Sequence, residues 1–168
     1  MLTNIFLQRG DSLSDLIKKE LIRIEDRAND WKDAIRIAAK SLLDNGYINE
    51  QYVEDMIKSV EDAGPYIVLA PNIAVPHARP NGNVAKMAIS LTKLNEPVNF
   101  RNEEEDEDNW VRILFCLAAV DSSSHIVALQ QLAVLLDSDE ITDELIGAKS
   151  EDEMLDIINE KLEEGNDD

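Results

Sequence analysis

His77 and His125 are the only imidazoles in this chain of 168 residues, and each lies beside turn chemistry. His77 follows Pro76 and precedes Ala78, Arg79 and Pro80, directly after the apolar residues 73–75. A side chain held between two prolines at the end of a strand sits on a stiffened loop, where reacting groups are often placed. Imidazole changes charge near neutral pH without help from its surroundings, and its neutral form is a good nucleophile. The same place also suits a surface histidine with no task, and composition alone leaves both readings open. His125 falls in the first turn of a helix that follows Asp121-Ser122-Ser123-Ser124. Helix N-termini carry unsatisfied N–H groups and a partial positive charge, which favour anions. Ser123 and Ser124 therefore suit either of two tasks, capping the helix or donating to a bound phosphate. On the first of these, His125 is a plain surface residue.

Other chemistry fits less well. The two histidines stand 48 residues apart with no third histidine, which is not a metal-motif spacing. Cys116, the single cysteine, lies within Leu114-Phe115-Cys116-Leu117 and reads as a buried, inert thiol. It has no partner for an internal disulfide, in keeping with a reducing cytoplasm. Neither a glycine-rich phosphate loop nor a Gly-x-Ser-x-Gly elbow occurs. Trp31 and Trp110 read as packing residues of the core or its rim.

The elements that must position these side chains alternate along the chain. Residues 21–25 alternate like a short strand. Asp30 reads as an N-cap for a helix whose apolar stripe is Trp31, Ala34, Ile35, Ala38 and Leu42, stopped by Gly46. Asn49 suits the cap of a second helix with Tyr52, Val53, Met56, Ile57 and Val60 on its apolar face, ending near Gly64-Pro65. Short β-type runs follow at 66–69 and 73–75, split by Pro71, which cannot donate to a ladder. Met87, Ile89 and Leu91 alternate with Ala88, Ser90 and Thr92, as in a strand with one face on the core. Residues 111–119 are apolar on nearly every side, which predicts a strand buried on both faces. Between these two strands, residues 103–108 are six consecutive acids that should repel one another into an exposed loop, taken as 101–109.

A third helix is expected from Ser124, with Ile126, Leu129, Leu132, Ala133 and Leu136 on one stripe. Helices at 139–146 and 150–163 close the chain, and residues 165–168 read as a frayed tail. Strands mixed with helices around a buried central strand predict a single layered α/β (α+β) domain, with its core at about 21–162.

Size and charge set outer bounds. One domain of this length buries roughly 70% of its unfolded surface and needs no metal or disulfide to hold it together. The 44% apolar content fits an ordinary core. The longest apolar run, 113–120, is far short of the roughly 20 residues that span a bilayer, so membrane insertion is not expected. Residues 1–9 lack the pattern of a secretory signal. Thirty-five acids against sixteen bases leave −19, a charge that nucleic acid and anionic lipid would repel. That field can still steer a protein partner rich in arginine or lysine.

Two segments together resemble one family. Ile73-Ala74-Val75-Pro76-His77-Ala78-Arg79-Pro80 resembles the phosphohistidine motif of the mannitol/fructose-type IIA components of the bacterial phosphoenolpyruvate:sugar phosphotransferase system. The stretch from His125 through Leu132-Ala133 is similar to the second histidine motif of that family. Glu61-Asp62-Ala63-Gly64-Pro65-Tyr66-Ile67-Val68, then Ala70-Pro71, is similar to the ascorbate-type branch. The likeness runs from about residue 21 to 162. It implies a mixed β-sheet flanked by helices on both faces. It also implies a phosphocarrier that accepts a phosphoryl group from the phosphohistidine of HPr and passes it to a cysteine of a IIB component. A membrane IIC component then moves the substrate. No cofactor is implied. His77 is the acceptor by this resemblance, and His125 holds the phosphoryl oxygens or orients His77.

One departure concerns charge. The mannitol and fructose branches carry an arginine shortly before the histidine motif, and sixteen residues back from His77 this chain has Glu61. Arg79 is then the nearest guanidinium, and ascorbate or a related carbohydrate becomes the expected substrate class. A regulatory IIA-like module, whose phosphorylation state sets its protein partner, would use the same His77. The chain as given has no helix-turn-helix region, which favours the transport role.

Overall fold

A computed structural model describes residues 13–166, with side chains through Glu163. The expectation about residues 1–9 lies outside the described residues.

The architecture follows from one strand, β5 (Trp110–Ala118). Its even-numbered residues Leu114, Cys116 and Ala118 enter one apolar cluster, while Ile113, Phe115 and Leu117 enter another on the opposite face. Such a strand must sit at the centre of a sheet with helices on both sides. The sheet has five strands in the order β1-β4-β5-β3-β2. Here β1 is Ile22–Glu25, β2 Val68–Ala70, β3 Asn72–Ala74 and β4 Ala88–Asn99. β1 pairs β4 and β3 pairs β5 in parallel, whereas β4–β5 and β2–β3 are antiparallel. The sheet is therefore mixed, and the single α/β domain of the sequence reading stands.

Helices α2 (Trp31–Asp44) and α3 (Glu50–Ala63) cover one face. Their caps are those the sequence suggests: Asp30 Oδ1 accepts the Asp33 N–H at 2.8 Å, and Asn49 Oδ1 accepts that of Tyr52 at 3.1 Å. Gly46, at φ 77°, turns the chain between them. The other face carries α1 (Leu13–Leu16), α4 (Ser122–Leu135), α5 (Asp139–Gly147) and α6 (Glu151–Asn166).

Four expectations change. β4 does not keep one face in solvent: Ala88 to Leu94 are all buried. Its polar residues mislead because each finds a partner inside. Ser90 Oγ donates to Ala38 O at 2.6 Å, and Lys93 Nζ donates to Ile146 O at 3.0 Å and to Ala148 O, at the C-terminal end of α5. α4 starts two residues before Ser124, and neither Ser123 nor Ser124 is its N-cap. Asp121 is, its carboxylate accepting the Ser124 N–H at 2.8 Å. A charged acceptor at a helix N-terminus outcompetes a hydroxyl. The buried stripe of α4 is Ala128, Leu132 and Leu135, leaving Ile126 and Ala133 exposed. Finally, α6 continues through Gly165 and Asn166, so only residues 167 and 168 of the expected tail remain, and they lie outside the described residues.

The acids at 103–108 are exposed as expected, yet they form an ordered turn between β4 and β5. Arg101 reaches Glu103, Asp106 and Asp108, which neutralises part of their mutual repulsion.

Candidate functional site

Strands β3 and β5 are parallel neighbours, so the loops that leave their C-terminal ends emerge side by side. This is where α/β sheets place ligands. The loop after β3 carries His77, and that after β5 runs straight into α4 and His125. Two residues 48 apart in sequence thus stand with ring centroids 5.0 Å apart and planes at 80°. Tyr66 meets the His77 ring edge-on from another direction, at 5.4 Å and 88°.

The rings open onto a cleft of about 670 Å³. It is lined by Asp55, Lys58, Ser59, Asp62 and Ala63 of α3, with Tyr66, His77, Ala78, Arg79, Asn81 and His125. Of the residues singled out in the sequence, His77, Arg79 and His125 come together here. Ser123 and Ser124 are not in the lining. Glu61 faces away from it and pairs with Lys32 at 3.1 Å.

His77 is held in one tautomer. Its Nδ1 lies 2.7 Å from Val75 O, and a carbonyl can only accept, so Nδ1 carries the proton and Nε2 the lone pair. Burial lowers its pKa below the ordinary 6.5, outweighing the opposing hydrogen bond to Val75. His125 is lowered too, first by burial and then by its neighbour His77. Both shifts favour the neutral imidazole at pH 7.

Beside His77, Ala78 is buried and joins the apolar cluster under α2 and α3, while Arg79 is exposed at the cleft. Arg79 makes no ion pair among the described residues, whereas Lys58 pairs with Asp62 at 3.3 Å. The two cations supply positive charge at a neutral imidazole. Asp55 Oδ2 accepts from Asn81 Nδ2 at 2.7 Å and Asn83 Nδ2 at 3.2 Å, tying the loop beyond His77 to α3. Bonds from Gln51 and Asn81 hold its carboxyl below the usual range. Cys116 is fully buried and its thiol is pushed up to about 12, so it takes no part.

Sequence reasoning missed Tyr66, Lys58 and Asp55. Tyr66 opens a β-type run, and the other two sit on the polar side of a helix where charge is ordinary. No spacing rule would have marked them.

An unprotonated, positioned Nε2 beside a second neutral imidazole and two cations can attack phosphorus and shield the oxygens around it. Residues 15–161 match the family model described as "Phosphoenolpyruvate-dependent sugar phosphotransferase system, EIIA 2". The mannitol-specific cryptic phosphotransferase enzyme IIA component of Escherichia coli K12 is 40% identical over 146 residues, 87% of this chain and 97% of that protein. The ascorbate-specific EIIA component of Shigella boydii serotype 4 is 35% identical over 144 residues, 85% of this chain and 92% of that protein. Among solved structures, the complex of enzyme IIAMTL and phosphorylated enzyme IIBMTL from Escherichia coli contains a chain similar to this one. It superposes with a TM-score of 0.73 at 28% identity, covering 86% of this chain and 99% of that one. The chain belongs to the EIIA 2 family.

Proposed function

We propose that this member of the EIIA 2 family is a phosphocarrier that takes a phosphoryl group from phospho-HPr on Nε2 of His77 and passes it to a cysteine of a IIB component. The observation that carries this reading is the 2.7 Å contact between His77 Nδ1 and Val75 O, which leaves Nε2 as the nucleophilic nitrogen. In uptake the Nε2 lone pair forms the N–P bond, and the bond from phosphorus to the HPr imidazole breaks, its electron pair leaving with that ring. In delivery a cysteine thiolate of IIB attacks phosphorus, and the N–P electron pair returns to His77. His125 donates to the phosphoryl oxygens or orients His77, and Arg79 neutralises their charge. Phosphoryl transfer asks the protein chiefly for such positioning and charge stabilisation. The hydroxyls of Ser123 and Ser124 lie outside the cleft lining, so we assign them at most a contact with the docked partner.

A IIB partner is supported by the IIA–IIB complex among the similar structures. HPr as donor and a membrane IIC component further along follow from the same reading. No helix among the described residues is long and apolar enough to cross a membrane, which suits a carrier working in the cytoplasm. The absence of arginine at Glu61 favours ascorbate or a related carbohydrate. The 40% identity to a mannitol-specific relative weighs the other way, so the substrate rests on the IIB and IIC components this chain serves.

The test is phosphorylation by phosphoenolpyruvate, enzyme I and HPr. Wild type should acquire an acid-labile, base-stable label and lose it to a IIB cysteine, while His77→Ala should stay unlabelled. Full labelling of His77→Ala would sink the assignment. Labelling of wild type with no delivery to any IIB would instead favour a regulatory module.

A further inference from the structure

The apolar stripe of α3 contains a residue that is more than filling. Tyr52 is fully buried, and its hydroxyl lies between the loop of His77 and the central strand. The hydroxyl accepts the Ala78 N–H at 3.2 Å and donates to Leu117 O at 2.7 Å, with Ala78 O a further 3.3 Å neighbour. A phenol has one proton to give, and the shorter contact takes it. Leu117 in turn donates its own N–H to Pro76 O at 2.9 Å. Both peptide groups of Leu117 therefore anchor the residues flanking His77: Pro76 directly, and Ala78 through the Tyr52 hydroxyl. Burial raises the Tyr52 phenol well above its ordinary value, so this link stays neutral and intact across the working pH range.

We propose that Tyr52 is a positioning residue for phosphoryl transfer, its hydroxyl bridging Ala78 and Leu117 to hold the His77 backbone where Nδ1 meets Val75 O and Nε2 stays free. The inference rests on His77 being the phosphoryl acceptor. Geometry supports a positional rather than a merely structural task. The bond from Nδ1 to Val75 O spans two residues, so its 2.7 Å length depends on the backbone torsions of Pro76 and His77. Those torsions are what the two anchors fix. Asp55, one turn along α3, grips Asn81 and Asn83 further on, so removing Tyr52 loosens the loop at its reactive end while the far end stays attached.

The test compares wild type, Tyr52→Phe and Ser90→Ala. Ser90 supplies a control for losing a buried hydroxyl, because its bond to Ala38 O lies outside the cleft. Misplacing a reacting group by about 1 Å can cost on the order of 10²-fold. Tyr52→Phe should accept phosphoryl groups from phospho-HPr about 10- to 100-fold more slowly, and its His77 ring should show mixed tautomers in nitrogen-15 spectra. Ser90→Ala should keep the wild-type rate and a single Nδ1–H tautomer. A folded Tyr52→Phe with wild-type rate and tautomer overturns the proposal. Should that variant not fold, amide exchange at Ala78 in the wild type decides: slow exchange like that of β5 supports the bridge, and exchange at the rate of an open loop overturns it. If wild type accepts no phosphoryl group at all, the phosphocarrier reading fails, while the tautomer and exchange data still report on Tyr52.

Discussion

His77 differs from an incidental loop histidine in its protonation, and that difference has a direct consequence. Burial keeps the ring neutral to a lower pH than an exposed imidazole. The nucleophilic form is present above the folded pKa and lost as pH falls through it. Initial rates of uptake from phospho-HPr should fall on acidification with a midpoint below 6.5; a midpoint above 6.5 would contradict the burial argument. Arg79 yields a second prediction. Its guanidinium has no acid to satisfy among the described residues, whereas Lys58 is already engaged with Asp62. A hydrogen bond to a charged group contributes about 1.5–3 kcal/mol, which corresponds to roughly 10- to 100-fold in rate. Arg79→Ala should lose transfer in that range, Arg79→Lys less because the two-pronged contact is gone but the charge remains, and Lys58→Ala least. Equal rates for wild type and Arg79→Ala at low salt would assign the charge to another group. Both histidines and Arg79 were legible in the sequence because prolines and a serine run mark their loops. Tyr52 was not, since a stripe of apolar positions hides what a single hydroxyl does.

At the scale of elements, most helix boundaries were legible because caps are local chemistry: Asp30 and Asn49 act on N–H groups three residues away. The start of α4 was not, because four residues in a row could each have capped it and only the folded chain shows which acceptor wins. Asp121 holds the Ser124 N–H, and the Asp121 carbonyl accepts from His125 N–H at 3.1 Å, so this one residue sets the turn that presents His125. Removing an N-cap side chain costs about 1 kcal/mol. Asp121→Ala should lower stability in thermal unfolding by that order and also slow transfer several-fold, through fraying of the His125 turn. Asp30→Ala, the same kind of cap on α2 away from the cleft, should lose comparable stability with transfer unchanged. If both variants transfer at the wild-type rate, the position of His125 does not depend on its cap. The hidden face of β4 illustrates the converse limit. Ser90 and Lys93 look solvent-facing by type, and only partners contributed by α2 and α5, distant in sequence, make their burial tolerable.

For the molecule as a whole, the layered architecture was legible from β5 alone, because a strand apolar on both faces requires cover on both sides. The sheet order was not, since the pairing of β3 with β5 depends on contacts across nearly forty residues of sequence (72 with 111). Net charge is the property that every residue shares, and at −19 it governs how partners arrive rather than how the chain folds. Within the cleft the acids Asp55 and Asp62 stand against the cations Lys58 and Arg79, so the site itself is nearly balanced. The excess negative charge therefore belongs to residues outside the cleft lining. A donor presenting a basic face would be drawn by that field, and a balanced site would then add little charge dependence of its own. Steered association weakens as screening shortens, and the screening length falls from about 10 Å at 0.1 M salt to about 3 Å at 1 M. The second-order rate of phosphoryl uptake from HPr should therefore drop steeply over that range, while the first-order transfer step within the preformed complex stays nearly constant. Stopped-flow measurements at saturating and limiting HPr separate the two. An association rate that is flat in salt would mean the acidic surface plays no part in the encounter, and the balanced cleft alone would then have to account for recognition.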